Sequence, residues 1–432
     1  MRRALLSLTI AAAAALTASS ASADPTRLLG FGPRGMAHAG AMLSIDDPIA
    51  ASVNNPALLT MAEKPQIGGG YMFARPKITL NGRGSNLLDA RGFFAGAAIP
   101  FSYKDWGFGL GLSAYLPDQF LMRVHTVPAT QPRAVMWDAP PHRLVANLTV
   151  GVRYKKIIAV GVGASLFGKV SAEYLNLEID ATPGRTRATA ALDIAFPLLV
   201  APVASIVVSP NDWLRLSVRY TGDLELGLGL PIFAQVAVPG TSVDGPIGLL
   251  FVGPSIYSPR EVAVGGSARW RGLTLSGELI FQNWAAINQV SARIVTQFDE
   301  AELGVEVPAS DFLEPHPGYK NTFSPRFGVA YTMPVDVYTL VFRAGYAFVP
   351  TPVPAQRGVT NFADSNRHVI GLGGTFGFEW DWMKLPFELD AGVQFQRLTP
   401  RTTVKDDPLS PGGDLSVVGM VYGVSVAGRV SW

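Results

Sequence analysis

A period-two alternation of polar and apolar residues, a low charge content and an aromatic last residue together predict an all-β chain. The expected fold is a transmembrane antiparallel β-barrel of about fourteen strands with a small N-terminal hatch (plug) in its lumen. The alternation is clearest at the end. Val418, Met420, Tyr422, Val424, Val426, Val430 and Trp432 share one face, and Gly419, Gly423, Ser425, Arg429 and Ser431 share the other. Such a strand is apolar on one side and small or polar on the other. A strand that ends on an aromatic carboxyl terminus resembles the assembly signal of bacterial outer-membrane barrels, so barrel assembly machinery acting through Trp432 is an expected partner.

Composition narrows the class. Only 16% of the 432 residues are charged and 48% are hydrophobic, against about 25% charged in a typical soluble domain. Net charge is +2, which offers no basic stripe for nucleic acid. There is no cysteine, hence no disulfide framework.

The elements follow in order. Arg2 and Arg3, the apolar run Ala4 to Leu16 and Ala21-Ser22-Ala23 form the three parts of a secretory leader, predicted over 1–23. Residues 24–64 are rich in Gly and Ala and do not alternate; a periplasmic tail or a compact plug fits them, and the plug is the expectation. The barrel is expected over 65–432. No later segment is long enough for a spanning helix: 194–208 is interrupted by Pro197 and Pro202, and a helix needs about 20 apolar residues. Strands are predicted near 66–74, 91–101, 106–116, 142–154, 157–169, 191–208, 213–221, 259–271, 273–283, 323–333, 337–347, 366–380, 386–396 and 417–432. The gaps between them alternate short and long, as periplasmic turns and external loops do in such barrels. Leu340, Phe342, Tyr346, Ile370, Leu372, Leu389 and Val393 then face lipid, with Arg343, Thr375, Asp390 and Gln394 inside.

The N-terminal segment carries a family signature. Gly40-Ala41-Met42, Asp46-Asp47 and Asn54-Asn55-Pro56-Ala57-Leu58 resemble the start of the FadL family of outer-membrane transport proteins, whose hatch has an NPA motif after a Gly/Ala-rich run and an acidic pair. Phe281-Gln282-Asn283-Trp284 is similar to a strand end of that family. Thr351-Pro352-Val353-Pro354-Ala355-Gln356 with Asp364-Ser365-Asn366-Arg367-His368 is similar to another of its segments. The resemblance implies passive uptake of hydrophobic small molecules across the outer membrane, long-chain fatty acids foremost. It also implies capture on external loops, an internal pocket, a hatch shift and lateral exit through the wall beside a kinked third strand.

Site residues can be placed on that scheme. The gate is expected at Asn54, Asn55, Pro56 and Ala57; Asn-Pro also suits a plain rigid turn. Gly107, Gly109 and Gly111 mark the third strand, where glycines signal either a kink or small residues beneath the hatch. External capture is expected at Phe120, Leu121, Met122, Phe233, Leu249 and Phe251, apolar residues in long connections that need either a ligand or each other. An anionic head group calls for a cation, and Arg153, Arg215, Arg219, Arg326 and Arg343 are candidates. Each could instead pair with a lumen carboxylate such as Asp390 or Glu278.

Other chemistries find little support. Gly30-Phe31-Gly32-Pro33-Arg34-Gly35 matches G-x-G-x-x-G but follows no strand and contains Pro33. The five histidines lack metal-ligand spacing, so no metal and no cofactor is expected. The competing readings are an outer-membrane barrel enzyme of lipase or protease type, and a structural or adhesive barrel. Neither is favoured by any residue spacing; a non-enzymatic monomer is the expectation.

Overall fold

A computed structural model describes residues 25–119, 132–138, 141–168, 171–182, 185–195, 198–237, 244–287, 291–296, 311–313, 318–357, 361–380, 385–406 and 413–432. The leader and the residues Phe120, Leu121 and Met122 lie outside them.

Fourteen strands form one closed antiparallel sheet. They are β1 (Gln66–Leu80), β2 (Ala90–Tyr103), β3 (Trp106–Pro117), β4 (Val145–Tyr154), β5 (Ile158–Gly168), β6 (Leu198–Val208) and β7 (Leu214–Thr221). Then come β8 (Glu261–Trp270), β9 (Leu273–Gln282), β10 (Thr322–Val335), β11 (Tyr338–Val349), β12 (Arg367–Trp380), β13 (Leu385–Thr403) and β14 (Leu415–Ser431). Each pairs with its sequence neighbour, and β1 pairs with β14 from Gln66↔Ser431 to Leu80↔Val417. That last ladder closes the ring and leaves no edge, which a sheet in hydrocarbon requires.

The two faces differ as the alternation predicts. Phe93, Leu110, Leu148, Val162, Phe342, Leu372 and Val424 point outward and are exposed. Ser113, Asn147, Ser205, Ser217, Asp390 and Gln394 point inward and are buried. A wall this apolar outside and polar inside is matched to lipid around it and polar contacts within. The ends differ too: Lys104, Lys155, Arg271 and Asp336 take positive φ in tight turns, all at the end where β1 begins and β14 ends.

The structure corrects two sequence expectations. Residues 191–208 are not one strand: Arg185–Ala195 belongs to a different sheet from Leu198–Val208, with Pro197, which has no N–H to give a ladder, between them in the sequence. The long connections at 170–190, 222–258 and 284–322 are not simply loops. They supply a second sheet of six strands, ordered Asp311–Leu313, Ser291–Thr296, Asp244–Ser258, Leu224–Ala237, Ser171–Thr182 and Arg185–Ala195. The alternation Leu224, Leu226, Leu228, Leu230 was itself a strand signal. Phe233, Leu249 and Phe251 therefore sit on paired strands, with Ile232↔Leu249 and Leu230↔Phe251 in register.

The N-terminal segment lies inside the barrel. It folds as short helices at Pro25–Leu29, Gly32–Ala37 and Ala51–Asn54 and as 3-10 turns at Pro48–Ala50 and Pro56–Met61. Its residues touch wall strands on all sides of the lumen. Glycines make the close approach possible: a Cβ at Gly371 would overlap the Met36 carbonyl oxygen, and one at Gly161 the Ala57 nitrogen.

Candidate functional site

The candidate site is the lumen, where this segment meets the wall. Asn55, fully buried, caps the 3-10 turn at Pro56–Met61: its Oδ1 accepts from the Ala57 N–H at 3.2 Å, and its Nδ2 donates to the Leu43 carbonyl at 2.7 Å. Pro56 suits the first helical position because no partner exists there for an N–H. The Ala57 N–H also donates to Ser205 on β6 at 3.0 Å. The Asn-Asn-Pro-Ala turn is thus tied to the segment and to the wall at once.

Three charge clusters hold the rest. In the first, Arg34 contacts Glu388 at 2.5 Å and Asp390 at 3.0 Å, while Arg429 contacts Asp47 and Asp390 at 2.6 Å each. Arg343 donates to Thr375, which donates to Asp390. In the second, Glu261 receives Arg27 at 2.7 Å and also Arg219, and Arg326 lies 3.9 Å from Glu278. In the third, Asp46 takes Arg215 at 2.6 Å and also Arg269. Desolvation would raise the Asp46 carboxyl, but the two guanidiniums outweigh it and hold the group below its ordinary value. Burial lowers the His38 imidazole to about 4 although its Nδ1 lies 3.0 Å from the Arg34 carbonyl oxygen.

Four of the five sequence-predicted arginines are therefore committed to internal partners. Arg215 and Arg219 bind the segment's own carboxylate or carbonyls, and Arg219 reaches the Asn54 oxygen at 2.8 Å. Arg326 and Arg343 face Glu278 and Asp390 at 3.9 Å each. Arg153 lies apart, in a cavity of about 700 Å³ at the short-turn end with Lys156, Arg269 and Asp46. The ladders of β3 to β2 and β4 run without a register shift through Gly107, Gly109 and Gly111, so no bulge interrupts the strand there. Gly109 and Gly111 make room for Leu59 and Ser52, so these small residues serve close packing.

A different cation marks the other end. A small cavity of about 50 Å³ above the segment, at the long-connection end, is lined by Arg27, Leu28, Met136, Trp284, Arg326 and Arg367. Arg367 is only 6% exposed. Its guanidinium lies 5.5 Å from the Trp137 ring, and its Nε and Nη1 have no hydrogen-bond partner. The Arg326 Nε is unpartnered too. The apolar side of the cavity continues into a cluster of Trp137, Trp284, Tyr257 and Tyr319. The segment that holds Arg367 is braced by Thr351, which donates to Asp364 at 2.6 Å, and by Arg401, which donates to the Val353 and Asp364 carbonyls. Burial pushes the Asp364 carboxyl above its ordinary value. Arg367 stood in the sequence motif at 364–368 without being singled out; its position on the inward face of β12 was the available signal.

Known proteins share this fold. No family model matches the chain. It is 24% identical over 395 residues to a long-chain fatty acid transport protein of Salmonella typhi, which covers 84% of each chain. It is 24% identical over 173 residues to alkane uptake protein A of Marinobacter nauticus, 39% of this chain and 35% of that one. Among solved structures, a Pseudomonas aeruginosa FadL homologue superposes with a TM-score of 0.56 at 15% identity, covering 93% of this chain and 98% of that one.

The chain has the FadL fold.

The Pseudomonas putida toluene transporter TodX agrees, with a TM-score of 0.54 at 15% identity over 94% of this chain and 99% of that one. In this chain the fourteen-stranded barrel holds an N-terminal segment in its lumen, clamped by ion pairs.

Proposed function

We propose that this protein is an outer-membrane channel for passive uptake of hydrophobic small molecules, long-chain fatty acids foremost. The observation that carries the reading is the cavity at Arg367. A buried guanidinium with two unpartnered N–H groups stands beside Trp284, Met136 and Leu28. A buried charged donor left unpaired is costly, and a carboxylate satisfies it; the space beside it, about 50 Å³, takes a head group, and an alkyl chain needs the hatch displaced. The similarity to a fatty acid transport protein and to an alkane uptake protein supports the same class.

In this reading 1–23 is a cleaved leader, 24–64 is a hatch and 65–432 a monomeric barrel inserted by the assembly machinery through Trp432. Substrate enters at the long-connection end and meets Arg367. Its progress depends on displacement of the hatch, because Leu58, Leu59, Ala57 and Met36 pack directly on the wall beneath.

The test is uptake of labelled oleate by cells whose own fatty-acid channel is deleted. Expression of this protein is expected to restore uptake, and Arg367→Gln to reduce it about tenfold or more, as loss of a charge-assisted hydrogen bond implies. Toluene entry serves as the comparison. Restoration of toluene but not oleate uptake replaces the fatty acid with a neutral hydrocarbon; restoration of neither, with assembled barrel, removes the channel reading.

A further inference from the structure

The outer wall carries a second feature that transport through the lumen does not use. A groove of about 900 Å³ crosses the lipid-facing side of β2, β1, β14, β13, β12 and β11. Its floor is low because Gly69, Gly428, Ala391 and Gly374 stand there, and Phe93, Phe342 and other apolar side chains form its sides. Six neighbouring strands at about 4.8 Å spacing make it roughly 24 Å across, wider than one acyl chain.

Two cations, Lys77 and Arg397, stand above it on the same strands, with His368 beside them. Lys77 is paired in register with Met420, and Met420 with Arg397, which is in turn opposite His368. Lys77, Arg397 and His368 are exposed. Lys77 lies 5.7 Å from the Tyr422 ring, and His368 Nδ1 lies 2.9 Å from the Tyr346 hydroxyl. Neither Lys77 nor Arg397 has a carboxylate partner among the described residues. Two carboxylates near this end are taken: Asp89 binds Arg75 at 2.6 Å and Asp118 binds Arg91 at 3.0 Å.

The height difference fits a lipid. Lys77 is six residues beyond Tyr71 on β1. That is about 20 Å along the strand, or roughly 15 Å of depth at a typical tilt. The cations therefore lie at head-group level, at the end that carries the long connections, when the groove lies in the hydrocarbon.

We infer that this face is the seat of one phosphorylated, multi-acyl glycolipid of the outer leaflet, with its phosphates on Lys77 and Arg397 and its chains in the groove. Two cations about 10 Å apart across three strands suit a head group with more than one phosphate. The groove's width suits several chains side by side.

The experiment is native mass spectrometry of the full barrel, extracted in mild detergent from membranes that contain lipid A. A bound species of lipid A mass is expected on the wild type. Lys77→Ala with Arg397→Ala is expected to reduce its occupancy at least tenfold, and Ala391→Phe, which fills the floor, to reduce it independently. Heat-modifiable migration on gels verifies that each variant is a closed barrel. Unchanged occupancy in the cation variant overturns the assignment. So does equal retention of phosphatidylglycerol or phosphatidylethanolamine, which marks a nonspecific lipid coat, or a dimer that covers the face with a second copy. Oleate uptake is a separate readout, so failure here leaves the channel reading untouched.

Discussion

Arg429 is 2% exposed and lies between Asp47 of the N-terminal segment and Asp390 of β13. Removal of one member of a buried charge cluster strands the others, at a cost of about 3–5 kcal/mol. Arg429→Met is therefore expected to lower the temperature at which the barrel loses its heat-modifiable form. An unchanged temperature means that the cluster does not hold the segment. His38 acts in the other direction, as a buried neutral group. Its value falls from 6.5 in the free side chain to about 4 in the barrel, so the unfolded chain binds a proton that the native chain refuses. Stability is full above about pH 6.5 and declines as the pH falls towards 4, by roughly 3 kcal/mol at most. Proteolysis of residues 25–61 is expected to accelerate over that window in the wild type and to show a flatter pH dependence in His38→Gln. At this scale the sequence was only partly legible. The alternation put Arg343, Asp390 and Arg429 on inward faces. It could not tell that Arg27 and Arg34 would meet carboxylates more than two hundred positions away, because such pairings exist only once the ring is closed.

Among the elements, the N-terminal segment depends on wall glycines as much as on charge. Gly371→Ala places a methyl group against the Met36 carbonyl oxygen. The backbone there has no flexible side chain to yield, so the helix Gly32–Ala37 is expected to lift from the wall while the strands remain paired. Faster amide exchange confined to residues 30–40 is the expected signature; exchange that rises across β12 as well means that the wall itself was disturbed. The strands were the most legible part of the chain. Period two is set by backbone geometry, and every predicted strand overlaps an observed one. The second sheet was missed for a related reason: its apolar alternation was present at 224–230, but a barrel-only reading assigned every long connection to loop. β3 was undecided because glycine at 107, 109 and 111 is equally compatible with a bend and with a close neighbour; the neighbours are Arg153 at Gly107 and Leu59 at Gly109 and Gly111.

For the molecule as a whole, the central question is whether uptake requires the segment to move. Ser44 and Ser217 face each other across the segment–wall boundary, with their hydroxyl oxygens 2.8 Å apart. The chain has no cysteine of its own, so a Ser44→Cys, Ser217→Cys pair introduces a single possible cross-link, and the periplasm favours its oxidation. Oleate uptake is expected to drop to the background of channel-deleted cells in the oxidised pair and to return with a membrane-permeant reductant. Full uptake with the bridge demonstrably formed shows that substrate passes without displacement at this point.

The closing ladder between β1 and β14 also dictates an order of assembly. Gln66 and Ser431 stand at opposite ends of the barrel sequence, so their pairing has the longest loop to close and the greatest entropic barrier. The N-terminal segment is tethered to β1 by only the few residues after Met61. Its contacts reach strands all around the ring, so they are complete only once the sheet has closed. Pulse-labelled chains are therefore expected to reach full protection of residues 25–61 only when Trp432 reaches the Pro65 carbonyl that its N–H bonds in the finished ring.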